Sequence, residues 1–294
     1  MRVFIELSGE HPTLPRAEAL AAMDSERVEV RSATFGPQLL RLDVVGPVER
    51  AAHRLGLAHV VCEELASGDL DAIRAYASAQ ELGGRTFRVR AHGLDVDLDP
   101  RAVEAPLGAD LGKTGRVDLD APQLDYRVLL GEEFVLGQVL HRVDRSRLEA
   151  TKVANRPFSL PISLHPKFAR ALVNLARVPM AGTILDPFCG TGGVLLEAAE
   201  LGLRSVGIDR ERDMVLGTRK SLRSAGGAPD LAVADAGRLP LRPGMVLGRS
   251  AVRTGRVDAG RGDRPTLRAR LRRVCGTPPA RRPSGDRAPE REMD

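Results

Sequence analysis

Residues 185–202 read LDPFCGTGGVLLEAAELG. Two apolar residues run into an acid, a proline and a glycine-dense loop, and an apolar-periodic run follows. This is the pattern of a strand turning into a helix. In a doubly wound parallel sheet, ligands bind beyond the carboxyl ends of the strands, where such a loop lies. Glycines there let backbone N–H groups approach a ligand and supply positive φ where a turn needs it. The loop does not follow GxxxxGK[ST], the phosphate cradle, nor GxGxxG, the dinucleotide loop.

The flanking sequence extends the pattern. KFARALVNLAR (167–177) carries a helical apolar stripe. RSVGID (204–209) reads as a second strand, residues 212–222 as a helix and DLAVAD (230–235) as a third strand. The order βαβαβ is that of a doubly wound sheet. Asp186 precedes the loop, Asp209 ends the second strand and Asp235 ends the third. A carboxylate roughly twenty residues past the loop is placed to accept ribose hydroxyls. One at the third strand can meet an adenine edge. Three acids and no phosphate cradle suit a neutral-to-cationic nucleoside such as S-adenosylmethionine. The competing role for each acid is capping of the following helix. Cys189 has no activating base or cation beside it in sequence, so a packing role is expected rather than a nucleophile.

The first half alternates strands and helices without a glycine-rich phosphate loop. Strands are expected at 3–7, 38–45, 57–63 and 85–91, and helices from Pro15, from Pro47 to a stop at Gly56, and from Leu70 to Gly83-Gly84. A further helix fits 99–111, and two or three strands fit 115–140. The pattern suits a compact α+β unit, or two small ones in tandem, over 1–140. Residues 141–157 are charged and irregular and read as a linker.

The 294 residues contain 3% aromatics and no Trp, so aliphatic side chains must fill the core. No apolar run approaches the ~18–20 residues of a membrane span. Three cysteines without metal spacing point to a reduced, cytoplasmic protein without a metal site. The net charge of +5 is misleading, because residues 244–294 hold thirteen Arg, no Lys and six acids. The body is therefore near neutral, and the tail is low in complexity and expected to be disordered.

These residues together resemble the archaeal tRNA guanine-N2 methyltransferases. DPFCGTGG, the acid of VGIDRERDMVLGTRKSL, and ADAGRLP resemble that family's methyltransferase domain. NRPFSLPISLHPKFARALVNLA is similar to the segment before its loop. SGEHPTLPRAEALAAM resembles the opening of its small ferredoxin-like region, and GKTGRVDLDAPQLDYRVLL the end of a THUMP domain, an RNA-binding module. The resemblance implies an α/β protein: ferredoxin-like plus THUMP over 1–140, a linker over 141–157, an incomplete Rossmann-like methyltransferase domain over 158–243, and a basic tail over 244–294. It implies that Asp186, Phe188, Gly190 and Gly192 shape the methionine end of an S-adenosylmethionine site. It also implies that Asp209 holds the ribose, that Asp235 and Ala236 border the adenine, and that residues 163–166 lie against the cofactor. The partner implied is tRNA, gripped at its acceptor end by a monomer.

The family's Asp-Pro-Pro-Tyr-type motif is expected shortly after Asp235 and is not there. Asp263-Arg264-Pro265-Thr266 lacks the aromatic, and Pro278-Pro279 lacks the acid. The abrupt change of composition leads us to expect a change of reading frame near 243–248, against the competing reading of a real basic tail on RNA phosphates, and re-reading the gene in the other two frames tests that. The alternatives are a non-catalytic tRNA-binding THUMP protein and a DNA amino-methyltransferase.

Overall fold

The computed structural model of the chain describes residues 1–150, 157–161, 163–227 and 230–238. The basic tail, with Cys275 and the Asp263 and Pro278 strings, lies outside the described residues, as do 151–156 of the expected linker.

The first half comprises β1 (Arg2–Leu7), α1 (Leu14–Ser25), β2 (Glu29–Gly36), β3 (Leu39–Val45), α2 (Glu49–Arg54) and β4 (Ala58–Gly68). It continues with α3 (Leu70–Ser78), β5 (Thr86–Gly93), α4 (Arg101–Leu111), β6 (Arg116–Val117), β7 (Leu124–Leu130) and β8 (Phe134–Arg142). All eight strands form one sheet in the order β2-β3-β1-β4-β8-β7-β5-β6. The first four make a βαββαβ unit with the ferredoxin-like order. One continuous sheet therefore carries a cluster under α1 and α2, another under α3 and α4, and a third around Phe4, Cys62, Leu129 and Val135. The joint is the long strand β4, whose residues 58–63 pair with β1 and 60–68 with β8. Alternation along β1 sends Val3 and Ile5 under α1 and α2, beside Ala19, Met23 and Ala51. The second core lies under α3 and α4, where Ile73 and Leu107 meet Phe87, Val89 and Val128.

The second half comprises α5 (Arg145–Ala150), α6 (Pro166–Leu175), β9 (Thr183–Asp186), α7 (Gly193–Glu200), β10 (Arg204–Asp209), α8 (Arg212–Ser224) and β11 (Asp230–Val233). Its three strands are parallel, in the order β11-β10-β9, which is one half of a doubly wound sheet. The register sets Asp186 beside Gly207 and Asp209 beside Val233, so the strand tips step along one edge.

α6 packs against both α1 and α7 and so joins the halves. Gly56 lies under it, where a Cβ would come within 3.0 Å of Arg170 Cβ. The contact is polar yet buried. Glu18 accepts from the N–H groups of Gly56 and Leu57, each at 2.8 Å, and from Asn174 Nδ2 at 2.8 Å. Arg54 donates to Asn174 Oδ1 at 3.1 Å, to Glu26 at 2.7 Å and to the Val178 carbonyl at 3.0 Å. Satisfied networks of this kind fix one geometry, because any other leaves a buried polar group unpaired.

Several expectations need correction. β2 is a strand beyond those expected: its residues are almost all exposed, so no apolar alternation marks this edge strand. Gly56 does not end α2 in a left-handed cap, since Leu55 is extended there, and its lack of a Cβ admits α6 instead. α3 ends at Ser78, short of Gly83-Gly84, although both glycines do have positive φ (60° and 76°). Within the span 141–157 lie the end of β8 and the helix α5. β11 stops at Val233, two residues short of Asp235.

Candidate functional site

The loop leaves β9 at Asp186 and folds over the tip of β10. Cys189 N–H donates to the Ile208 carbonyl at 2.9 Å, and Gly192 N–H to the Cys189 carbonyl at 2.7 Å. Gly190 and Gly192 have φ of +49° and +81°. At these angles an L side chain is strained. Gly192 also has no room for one: a Cβ would stand 2.7 Å from Thr218 Cγ2 of α8. The loop is locked from both sides of Gly190. Its N–H donates to Asp209 Oδ2 at 2.9 Å, and its carbonyl accepts from Thr218 Oγ1 at 2.6 Å. Asp209 Oδ1 accepts from Glu211 N–H at 2.9 Å. Each carboxylate oxygen has a second lone pair, so Asp209 can still accept from a ligand.

Asp186 is 3% exposed and accepts from Phe188 N–H at 3.1 Å. Burial pushes its carboxyl up to about 6, and the charge of Asp209 adds to the rise. No described cation offsets this effect, so a positively charged group brought against this carboxylate would lower it again. The Cys189 thiol is buried and pushed up by desolvation and by the charges of Asp186 and Asp209. It is therefore held as a neutral thiol, in keeping with a packing role. Phe188 stands 39% exposed on the loop.

Asp235 and Ala236 occupy the turn after β11. Ala234 N–H donates to the Asp209 carbonyl at 3.0 Å, which keeps this turn beside the β10 tip. Asp235 Oδ1 accepts from Gly237 N–H at 2.7 Å and so shapes the turn. Direct bonds thus link Asp186 to Phe188 and Gly190 to Asp209, and Asp235 and Ala236 stand at the adjoining strand end. The segment before α6 is anchored at two points. Phe158 lies on α8, where a Cβ on Gly217 would come 2.3 Å from its ring. Leu164 packs on the core of Ile184 and Val194. Ser163 Oγ accepts from Leu160 N–H at 3.0 Å, and His165 caps α6.

Three participants went unnoticed in the sequence: Thr218, Gly207 and Gly217. Gly207 brings α7 close to the sheet, because a Cβ there would lie 2.4 Å from Leu195 Cδ1. A glycine inside a strand or helix was the available signal. Among the described residues no group of His, Cys, Asp or Glu is arranged to hold a metal ion. No described helix is long and apolar enough to cross a membrane.

A parallel sheet of this order, with a glycine loop and carboxylates at its tips, is the class of doubly wound nucleoside-binding domains. The family model "UPF0020: RMKL-like, methyltransferase domain" matches residues 154–244 and so stops where the composition of the chain changes. The chain is 36% identical over 233 residues to a tRNA (guanine(10)-N2)-dimethyltransferase of Methanothermobacter thermautotrophicus, covering 77% of this chain and 69% of that protein. It is 35% identical over 232 residues to the protein of the same name from Pyrococcus abyssi, covering 76% and 68%. Among solved structures, TrmN from Thermus thermophilus is 26% identical with a TM-score of 0.48, over 83% of this chain and 76% of that one. The chain belongs to the tRNA guanine-N2 methyltransferase family.

Proposed function

We propose that the chain binds S-adenosylmethionine at the tips of β9, β10 and β11 and serves methyl transfer to the exocyclic N2 of a guanosine in tRNA. The observation that supports this reading is the Gly190–Asp209 bond, which joins the glycine loop after β9 to the carboxylate at the tip of β10. Asp186, Phe188, Gly190 and Gly192 border the methionine end, where the buried Asp186 favours the donor's cationic groups. Asp209 receives the ribose, Asp235 and Ala236 flank the adenine, and residues 163–166 close the crevice from the preceding segment. When bound, the donor supplies a sulfonium methyl group for attack by the guanine amine.

The first half, 1–140 with its THUMP-like end, holds the RNA, and 158–243 holds the donor. The RNA partner is tRNA, as in the names of the relatives. The protein acts in the cytoplasm as a monomer. The target base must leave its helix, since a paired exocyclic amine is out of reach.

One observation favours a second reading. The 294 residues hold no Asp-Pro-Pro-Tyr-type string to aim the amine at the methyl group. Positioning supplies much of the rate in such a transfer. We therefore expect these residues to bind donor and RNA with little turnover. Labelled methyl transfer to an unmodified tRNA transcript, run beside tRNA binding, tests both readings. Binding with transfer supports the enzyme, binding without transfer supports the second reading, and neither property refutes both. Transfer to duplex DNA instead of tRNA would mark a DNA amino-methyltransferase.

A further inference from the structure

A cavity of about 500 Å³ opens where the two halves meet, on elements other than the strand tips of the proposed donor site. This lies within the roughly 300–1,000 Å³ of small-molecule sites. α2 contributes Arg50 and His53, β8 contributes His141, α5 contributes Arg147 and Leu148, and the end of α7 contributes Glu200. The His53 and His141 rings lie 4.0 Å apart, centre to centre, inclined at 54°. Arg50 reaches the mouth with its side chain 60% exposed, beside Glu26 at 3.1 Å. Arg147 pairs with Glu200 at 2.7 Å, which ties α5 to the end of α7.

We propose that this cavity seats an unpaired nucleotide of the bound RNA, its base against the imidazole pair and its phosphate at Arg50. The proposal rests on the RNA-binding reading above. Single-stranded bases are held by stacking on His rings and guanidinium planes, with arginines on the backbone. Buried Leu148 supplies an apolar wall for the base, and Glu200 is an acceptor for an exocyclic amine. A paired base is held inside its helix and cannot enter so small a space, so the occupant is an unpaired residue. The cavity spans the joint between halves, so a nucleotide seated there fixes the RNA relative to both.

The test measures binding of an unmodified tRNA transcript to the full chain and to three variants: His53→Ala/His141→Ala, Leu148→Trp and Arg50→Glu. Loss of one stacked base weakens binding by about tenfold. A loss of that size is expected in each variant, from the stacked base in the first two and from the phosphate contact in Arg50→Glu, with affinity for S-adenosylmethionine unchanged. Arg50 lies on the surface, so its variant keeps the test sound if Leu148→Trp does not fold. RNA affinity within twofold of the parent in all folded variants would overturn the proposal while leaving the RNA-binding reading intact. Free adenosine monophosphate binding as tightly as the transcript would overturn it in favour of a free-nucleotide site. A parent chain that binds no RNA would overturn both readings.

Discussion

Gly190 N–H points at Asp209 Oδ2 from 2.9 Å, so the carboxylate proposed to receive the donor's ribose also holds the glycine loop. This double duty separates two substitutions. Asp209→Asn keeps an oxygen for Gly190 and should lose about tenfold in donor affinity. Asp209→Ala frees the loop as well and should abolish donor binding, at a stability cost of about 1–2 kcal/mol. Calorimetric titration with chemical denaturation of the same samples checks both effects.

Gly192→Ala should be worse than Gly190→Ala. Both sites have positive φ, but only at Gly192 does a Cβ also strike Thr218, at 2.7 Å. Strain alone costs about 1–2 kcal/mol, and the clash adds about another 1–3. Thr218→Ser, which removes the struck methyl and keeps the hydroxyl, should restore part of the Gly192→Ala loss. Urea unfolding of the single and double variants measures this.

Asp186→Asn should stabilise the donor-free protein while lowering donor affinity. The Asp186 carboxyl titrates at about 6 when folded, above its ordinary range near 4. Between these values the folded state binds more protons than the unfolded state, so stability falls as pH rises and its loss is complete above about 6. Removing the charge should recover on the order of 2–3 kcal/mol at neutral pH and flatten that part of the pH profile. Thermal unfolding from pH 4 to 8, without donor, shows whether it does.

At the joint between halves, Asn174→Ala removes a donor from Glu18 and an acceptor from Arg54 at once. A loss of about 2–4 kcal/mol is expected, because charged groups are left short of partners in a buried site. Burial also pushes Glu18 up to about 7, against the pull of its three N–H donors. Its contribution therefore falls as pH rises from about 4.5 towards 7, and more tightly packed halves are expected at the acid end of that window. Hydrogen exchange of the Gly56 and Leu57 amides across this range measures the effect.

The βαβαβ half was legible because each of its signals is local: apolar runs for strands, glycines at the turn, a helical stripe. Asp186 and Asp209 stand at strand tips as the spacing implied. Asp235 lies two residues past its strand, since nothing in DLAVAD marks where pairing stops. β2 left no trace because an exposed edge strand needs no apolar face. Thr218 looked like any polar helix residue, and only the fold brings it to Gly190. The Glu18–Asn174 contact joins residues 156 positions apart, beyond the reach of any local pattern. Gly56 has the local pattern of a helix stop, its commonest use, whereas the fold uses it to admit a neighbouring helix.

The most direct measurement is a calorimetric titration of the folded chain with S-adenosylmethionine, repeated on Asp209→Ala. The crevice at the tips of β9, β10 and β11 predicts one donor per chain for the parent and none for the variant. A folded parent that takes up no donor, or a variant that binds it as tightly as the parent, contradicts the account.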